Sequence, residues 1–272
     1  MSAPADLARL VGVFDDVWRP DPTNPPASTD MLRALAHAGN YVVGAFVEGR
    51  LAGGSVGFFA APAGEVLHSH MTGVSHLGRG LGLGHAMKMH QRDWAIARGL
   101  TAITWTFDPL VARNAYFNLT KLGAAPVEYH RDFYGVIGDQ LAGEDETDRL
   151  LLRWALTEAT LEPDTSRSAT QFVDDGAILA IDDTDPDHPV AVTDPLPDHA
   201  TVVVPVPPDI ELLRRETPEV ATRWRRASAG VFAQLAMPDK TRPTAFLRSG
   251  HYVFGPAVLN HRSGLNHQAG QR

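Results

Sequence analysis

Hydrophobic positions along the first 157 residues change between a two-residue period and a helical period. The two-residue period predicts strands over residues 41–48, 51–60, 65–74, 101–108, 126–133 and 148–157. The helical period predicts helices over residues 5–18, 31–37, 83–98 and 111–121. Asp30 is the expected N-cap of the second helix, and Gly49-Arg50 is the expected turn of a hairpin between the first two strands.

The pattern becomes weaker after residue 157. It predicts short strands over 177–181, 190–192 and 201–206, a helical stretch over 208–237 and a last strand over 244–254. Pro218 is expected to divide the helical stretch, because proline lacks a backbone N–H. We therefore expect a main domain at 1–157, a strand and helix extension at 158–256 that packs on or extends the sheet, and a flexible tail at 257–272.

A glycine-rich run joins the predicted strand 65–74 to the predicted helix 83–98. Such a turn exposes backbone N–H groups at the positive end of the helix dipole, where a phosphate or pyrophosphate binds without lysine. Glycine has no Cβ, so a ligand can approach its backbone closely. The run therefore predicts a phosphate-bearing ligand, with an unliganded glycine turn as the alternative.

Three known phosphate-loop patterns can be compared with this run. The Walker A pattern fails, because His85-Ala86 follows Gly84 in place of Lys-Ser/Thr. The dinucleotide pattern is weak, because no acidic residue closes a following strand about 20 residues later. The pattern Arg/Gln-x-x-Gly-x-Gly/Ala is met without a gap between Arg79 and Gly84.

This last pattern resembles the pyrophosphate loop of the GNAT N-acetyltransferase superfamily. Residues 113–124 resemble its second coenzyme A motif, in which an asparagine opens a helix that ends in Lys-x-Gly. Residues 104–110 and 117–124 are similar to a narrower, sparsely characterised group linked to N-acylation of amino acids, including succinyl transfer. The resemblance implies an α/β (α+β) GNAT fold: a mixed, mostly antiparallel central sheet flanked by helices, here with an extra C-terminal α/β segment.

The resemblance also implies a transferase that moves an acetyl or succinyl group from acetyl-CoA or another acyl-CoA to the amine of a small metabolite, such as an amino acid. The implied coenzyme A ligands are Thr72, Gly73, Val74, Arg79, Gly80, Leu81, Gly82, Leu83, Gly84 and Asn114. Asn114 either reaches the pantetheine arm or caps its helix. Two other functions stay open: a catalytically silent acyl-CoA sensor or scaffold, and a protein N-acetyltransferase.

Proton transfer in the implied reaction needs an acid and a base. Many superfamily members carry a tyrosine four residues before the motif glycine, but this chain has Leu119 there, which cannot donate a proton. Tyr116, three residues earlier, lies near the same helix face and is the nearest substitute. His70 is the preferred base and His68 the second, because a neutral imidazole accepts a proton near pH 7.

Strict alternation places His68 and His70 on one face of their strand and Ser69 and Met71 on the other. A hydrogen-bonded structural histidine is the alternative at either position. A metal site formed by the two histidines with Asp108 is a weaker alternative, because the GNAT reaction needs no metal. No metal is therefore expected.

The acceptor site is sought on the predicted strand 126–133 and just after it. Arg131 could pair with the carboxylate of an amino acid, and Tyr134 is a second candidate. A plain surface arginine is the alternative. Further along the chain, Arg223, Arg225 and Arg226 form a basic patch that is expected on a solvated face.

Composition limits the setting of this chemistry. The chain has no cysteine, which excludes disulfides and a cysteine nucleophile. It shows no signal peptide and no apolar run of about 18 residues, so a cytoplasmic protein away from membranes is expected. The net charge of −8 argues against nucleic acid as a partner. Residues 139–198 carry 16 acidic residues against three arginines, typical of a solvated connector. The expected partners are acyl-CoA and a small amine, with a homodimer left open.

Overall fold

The computed structural model describes residues 1–21, 25–135, 145–157, 165–192 and 194–259. Its α-helices within these ranges are α1 (Pro4–Trp18), α2 (Thr29–His37), α3 (Leu83–Ile96), α4 (Ala112–Ala115), α5 (Ala169–Asp174), α6 (Ile210–Glu216) and α7 (Pro218–Leu235). Its strands there are β1 (Tyr41–Val47), β2 (Arg50–Ala60), β3 (Val66–Val74), β4 (Ala102–Phe107), β5 (Ala125–His130), β6 (Arg149–Ala155), β7 (Ile178–Leu179), β8 (Ile181–Asp182), β9 (Val190–Ala191), β10 (Val202–Pro205), β11 (Lys240–Thr241), β12 (Thr244–Leu247), β13 (His251–Phe254) and β14 (Val258–Leu259).

The chain forms two compact units, and each is described by itself. The first consists of Met1–Thr106, Tyr134–Thr147 and Arg153–Ala159. The second consists of Phe107–Phe133, Asp148–Leu152 and Thr160–Arg272. The predicted domain boundary at residue 157 stays a prediction.

The first unit contains a mixed sheet in the order β1-β2-β3-β4, followed by the end of β6. The pairs β1/β2 and β2/β3 are antiparallel. The pair β3/β4 is parallel and runs from Val66↔Ala102 to His68↔Thr104. A mostly antiparallel sheet with one parallel step, flanked by helices, confirms the predicted fold class.

Two adjacent glycines of β2 show that α1 and α3 cover opposite faces of this sheet. A Cβ on Gly53 would lie 3.3 Å from Met87 and 3.4 Å from Leu83, both of α3. A Cβ on Gly54 would lie 2.1 Å from Leu10 of α1. Successive residues of a strand point to opposite faces of the sheet, so α3 and α1 lie on opposite faces. The core on the α1 face includes Leu7, Leu10, Val13, Phe14, Leu32, Val42, Val56 and Met71.

Two local features of the first unit differ from the sequence prediction. The N-cap of α2 is Ser28, whose Oγ accepts from the Met31 N–H at 3.1 Å, and Asp30 instead lies in the first turn. The serine takes the cap because its backbone is extended there (φ −99°, ψ 154°). The hairpin turn lies one residue earlier than predicted, at Glu48 and Gly49, which both have positive φ.

The second unit contains a four-stranded sheet in the order β12-β13-β10-β7. The predicted last strand, 244–254, is in fact the hairpin of β12 and β13, because Gly250 takes a φ of 84° that turns the chain. Pro218 separates α6 from α7, as predicted. Helix α5 begins with a capping box of Ser168 and Gln171, and the sequence pattern did not predict this helix.

The predicted flexible tail falls largely outside the described residues, which end at 259. Val258–Leu259 form β14, which pairs with β11. Among the described residues, every helix is too short or too polar to cross a lipid bilayer.

Candidate functional site

The loop between β3 and α3 presents bare backbone. Gly80 and Gly82 have φ values of 77° and 72°, in the left-handed region that other residues rarely adopt. A Cβ on either residue would meet no described atom within 4 Å. A ligand can therefore approach the loop at the two positions where the chain needs glycine.

The first turn of α3 is free of side-chain caps. Gly82 is the N-cap residue, and the first turn contains no acidic residue. Ala86 donates to the Gly82 carbonyl at 3.0 Å, so the helical ladder starts there and the N–H groups of Leu83 and Gly84 have no partner within the helix. The start of a 14-residue helix with such amides favours an anion.

Leu81 and Arg79, two of the predicted loop ligands, make different contacts. The Leu81 N–H donates back to the Gly78 carbonyl at 3.4 Å, and the Leu81 side chain is 64% exposed. Arg79 is exposed and lies just after the 3-10 turn His76–Gly78. The loop thus places one cation and one apolar side chain beside the helix start.

Strands β3 and β4 separate beyond their last pair, His68↔Thr104. Beyond this pair, β3 pairs only with β2 among the described strands, at Ser69 and again at residues 71–74. The predicted ligands Thr72, Gly73 and Val74 lie in this part of the strand. Unpaired strand edges carry N–H and C=O groups that need partners, so the opening can accept an extended ligand.

A β-bulge occurs in the same part of β3. Val56 pairs with Met71 and Gly57 with Ser69, which leaves His70 as the extra residue. The rings of His68 and His70 lie 6.4 Å apart. Both pack against Phe58, at 5.2 and 5.7 Å, which confirms that the two histidines share a face.

The companion prediction for Ser69 and Met71 is wrong. Ser69 Oγ accepts from Lys88 of α3 at 2.9 Å. Met71 packs in the core with Leu7 and Leu10 of α1, on the opposite face. The bulge adds a residue between them and so breaks the strict alternation on which the prediction depended.

The two histidines have different surroundings. Burial lowers the pKa of His68 to about 4, helped by the charges of His70 and Lys88. His68 Nδ1 also lies 3.2 Å from Thr104 Oγ1. His70 is exposed, and partial desolvation lowers the pKa of its imidazole. Both rings are neutral at pH 7, and His70 is the one that solvent reaches.

A buried polar cluster of the first unit escaped the sequence analysis. Lys88 Nζ donates to Ser69 Oγ at 2.9 Å and to Gln91 Oε1 at 3.3 Å, and it lies 4.0 Å from the ring centroid of Trp105. We call these four residues the apex cluster, because Ser69 and Trp105 directly follow the last pair of β3 and β4. Burial lowers the pKa of Lys88 to about 7.

A sequence signal for this cluster existed. Lys88, Gln91 and Ala95 are spaced as one face of a helix, and all three are buried. Two polar residues on the apolar face of a helix point to a buried network. Gln91 Nε2 extends that network to Ser55 Oγ at 3.4 Å.

The predicted residues of the second unit lie around α4. Asn114 is exposed within α4, whose N-cap is Val111 without a side-chain bond, so the capping alternative for Asn114 is wrong. Tyr116 begins a π-helical turn, Tyr116–Lys121, and the Arg248 guanidinium lies 5.2 Å from its ring. Leu119 is 3% exposed and belongs to the core.

Neither acceptor candidate lies on a strand. Strand β5 ends at His130, and Arg131 and Tyr134 follow it in a turn. The chain turns where Asp132 takes a φ of 42°, which ends the extended run. Both side chains are exposed, and Tyr134 Oη lies 3.3 Å from Thr106 Oγ1.

Asp108 is held by two arginines of the second unit. Arg225 donates to its two oxygens at 3.0 and 2.9 Å, and Arg214 pairs with it as well. Arg225 is 1% exposed, so the predicted solvated patch is wrong at this residue, because its guanidinium neutralises a buried carboxylate. Because both carboxylate oxygens of Asp108 already accept from arginine, these ion pairs also argue against Asp108 as a metal ligand. Among the described residues, no group of three or more His, Asp or Glu could hold a metal ion.

No family model matches the sequence, and no curated protein matches it. Solved structures do resemble it. A GNAT family acetyltransferase from Elizabethkingia anophelis with acetyl-CoA bound has 15% identity and a TM-score of 0.41, over 57% of this chain and 92% of that one. The ribosomal-protein-S18-alanine N-acetyltransferase from Escherichia coli has 15% identity and a TM-score of 0.43, over 57% and 90%. The ribosomal-protein-alanine N-acetyltransferase from Brucella melitensis has 15% identity and a TM-score of 0.46, over 57% and 96%.

Proposed function

We propose that this protein is an acyl-CoA-dependent N-acyltransferase of the GNAT type, acting on the amine of a small metabolite such as an amino acid. The observation that carries the proposal is the junction of β3 and α3. A bare glycine loop caps a 14-residue helix there, and β3 separates from β4 in the same region. An elongated ligand with a phosphate group fits both features.

The coenzyme's pyrophosphate is assigned to the backbone amides of Gly82, Leu83 and Gly84, with Arg79 beside it. The pantetheine arm is assigned to the free edge of β3 at residues 72–74, where backbone groups can bond its amides. Gly80 and Leu81 complete the loop. The roles of Asn114 in cofactor binding and of Arg131 and Tyr134 in acceptor binding stay predictions from the sequence.

The proposed reaction is direct attack of the amine on the thioester carbonyl. A C–N bond forms, the C–S bond breaks, and the thiolate leaves with the electron pair. A backbone N–H of β3 would stabilise the oxyanion. His70 would take the proton from the amine, because its imidazole is neutral and exposed. Tyr116 or water would protonate the thiolate.

A catalytically silent acyl-CoA binder is the second candidate, and the burial of Leu119 at the usual tyrosine position favours it. A protein N-acetyltransferase is the third. Thiol release by the full chain, measured with acetyl-CoA and succinyl-CoA over a panel of amino acids and N-terminal peptides, separates the three. Thiol release with amino acids supports the proposal, whereas coenzyme A binding without release for any acceptor supports the silent binder.

The loop assignment has a test of its own. We expect Arg79→Ala to weaken coenzyme A binding about tenfold in calorimetry, the typical loss of a charge-assisted hydrogen bond. Arg98→Ala is the matched control, because Arg98 is also exposed but lies just after the other end of α3. Equal losses in the two variants would refute the loop assignment.

The base has a second test. We expect His70→Ala to lower kcat by about 10²- to 10⁴-fold, the range found for general bases, with a smaller effect for His68→Ala. The pH profile of kcat/KM should lose its limb near the imidazole pKa in the His70 variant. A wild-type profile in that variant would exclude His70 as the base.

A further inference from the structure

A polar cavity lies within the second unit. Its lining comes from Tyr116, Thr120 and residues 165–168 and 246–249, all of which belong to that unit. The cavity volume is about 330 Å³, near the lower end of the roughly 300–1,000 Å³ of known ligand pockets, so it suits a small molecule. The described residues that line it include two arginines and no aspartate or glutamate. A cavity lined by charge of one sign favours a ligand of the opposite sign, here an anion.

The two arginines of the cavity differ in what they contact. Arg167 donates to the Gln171 carbonyl at 3.0 Å and pairs with Asp175, so its charge is already compensated. Arg248 is exposed and has no hydrogen bond or ion pair to any described residue. Its guanidinium lies 5.2 Å from the ring of Tyr116, which attracts the cation without using its N–H groups. Arg248 is therefore a positioned cation whose donors can serve a ligand.

Two hydroxyls of the lining add further donors. Ser168 Oγ accepts from the Gln171 N–H at 3.2 Å, but its O–H has no acceptor in the described part of the chain. The hydroxyl of exposed Thr165 has no partner there either. Thr120 differs, because its Oγ1 accepts from the Phe246 N–H at 3.0 Å and donates to the Phe246 carbonyl at 2.7 Å. Thr120 thus joins two parts of the cavity wall and leaves ligand binding to the other groups.

We propose that this cavity binds a small phosphate monoester, with Arg248 as its charged partner and Thr165 and Ser168 as further donors. Three separate donor groups match the three terminal oxygens of such a phosphate. A carboxylate has two oxygens, and one bidentate arginine satisfies both. The ring of Tyr116 offers an apolar surface to the organic part of the ligand. The inference goes beyond the proposed function and is independent of it, because it involves no acyl transfer.

Calorimetry on the full chain tests the inference with phenyl phosphate, inorganic phosphate and benzoate as probes. We expect phenyl phosphate to bind at least about tenfold more tightly than benzoate, the typical gain from a further charge-assisted hydrogen bond. Phenyl phosphate should also bind more tightly than inorganic phosphate, because its ring can pack against Tyr116.

Variants locate the binding site of the probe. Arg248→Met should weaken phenyl phosphate binding at least about tenfold, and Thr165→Val should weaken it by about two- to tenfold, the loss of one neutral hydrogen bond. Arg226→Met is the matched control and should keep the wild-type affinity, because Arg226 is exposed on α7 of the same unit and does not line the cavity. Arg248→Met should fold, since it changes an exposed side chain. Thermal unfolding checks this, and Thr165→Val provides the test if it does not.

Several outcomes would overturn the inference. One is benzoate binding as tightly as phenyl phosphate, and another is an affinity for phenyl phosphate that survives in Arg248→Met. Equal affinity for inorganic phosphate and phenyl phosphate would also overturn it, because the organic part of the ligand would then go unrecognised.

Coenzyme A is a second source of this chemistry, because it carries a 3′-phosphate. Phenyl phosphate is therefore titrated again with saturating coenzyme A and with saturating dephospho-coenzyme A. Unchanged affinity in both titrations supports a separate ligand. A loss of affinity with coenzyme A alone would assign the cavity to the 3′-phosphate and overturn the inference. Failure of the proposed function is a different result, namely the absence of thiol release.

Discussion

Two buried charged side chains, Asp108 and Lys88, have opposite surroundings: the first is paired with opposite charges and the second with neutral acceptors. Asp108, in the second unit, is 11% exposed on its side chain and is held by the guanidiniums of Arg225 and Arg214. Burial raises the pKa of Asp108, but the two arginines outweigh it and hold the pKa well below its usual range. Lys88, in the first unit, has neutral acceptors, and burial lowers its pKa from 10.5 to about 7.

The contrast separates a buried charge that has counter-charges from one whose hydrogen-bond acceptors are neutral. A carboxylate with two arginines is satisfied, and removing its charge would take a counter-charge from both arginines. Lys88 has hydrogen-bond acceptors but no counter-charge among the described residues, so its replacement by an apolar side chain removes the cost of burying a charge. The two sites should therefore respond to mutation with opposite signs.

The largest effect is expected for Asp108→Asn. Buried Arg225 and Arg214 would then lose the carboxylate charge of Asp108, which should lower the free energy of unfolding by about 3–5 kcal/mol. Denaturant unfolding measures this loss. Asp185→Asn is the control, because Asp185 is 63% exposed and its pair with His188 lies at the surface. A loss below about 1 kcal/mol for Asp108→Asn would place this site with ordinary surface pairs.

The opposite sign is expected for Lys88→Met. At pH 6 the variant should be more stable than the wild type by about 1–4 kcal/mol, because a buried charge is replaced by an apolar side chain. Between pH 7 and 10.5 the unfolded chain keeps a proton that folded Lys88 has lost, so wild-type stability rises with pH across this window.

The advantage of the Lys88→Met variant should therefore shrink from pH 6 to pH 10. Denaturant unfolding at both pH values measures it. A variant that is less stable than the wild type at pH 6 would show that Lys88 is as well compensated as Asp108.

A smaller effect is expected for Ser69→Ala. The variant removes one neutral acceptor of the Lys88 ammonium, 2.9 Å away, and should cost about 0.5–1.5 kcal/mol. Val203→Ala in the second unit is a comparison for simple packing loss and should cost more, because it removes buried methyl groups. If Ser69→Ala costs nothing, Lys88 does not depend on this hydrogen bond.

The smallest effect is expected for Glu211→Gln. Arg113, its partner, is 63% exposed, so solvent screens this ion pair even though its geometry is good. We expect a loss of about 0.2–1 kcal/mol, reduced further by salt. Unfolding at low and high ionic strength measures it. If Glu211→Gln lowered the free energy of unfolding as much as Asp108→Asn, solvent exposure would not explain why one ion pair matters more than the other.

Much of this fold could be predicted because its signals are local. Residues 103–108 alternate in polarity, and Gly80 and Gly82 stand at turn positions that require positive φ. The observed bounds of helix α3 and strand β4 agree with the predicted bounds to within two residues. Alternation, turn chemistry and glycine need only neighbouring residues, which the sequence supplies.

The parts that failed depend on distant partners. Arg225 pairs with Asp108, 117 residues away, so its burial leaves no local mark. The bulge at His70 is a property of how β3 pairs with β2, and the sequence of β3 alone does not show it. The predicted strand 126–133 includes Arg131, whereas β5 ends one residue earlier, because polarity does not mark where extended backbone stops.

The bulge in β3 has a consequence for how this strand can change. Because His70 is the extra residue, its deletion would leave Ser69 facing α3 and Met71 facing α1, as they do now. His68 would lose its ring contact with His70, and the remaining side chains of the strand would keep their neighbours. His70, the preferred base, is therefore an inserted residue. The strand could lose it while Ser69 and Met71 stay on their present faces of the sheet.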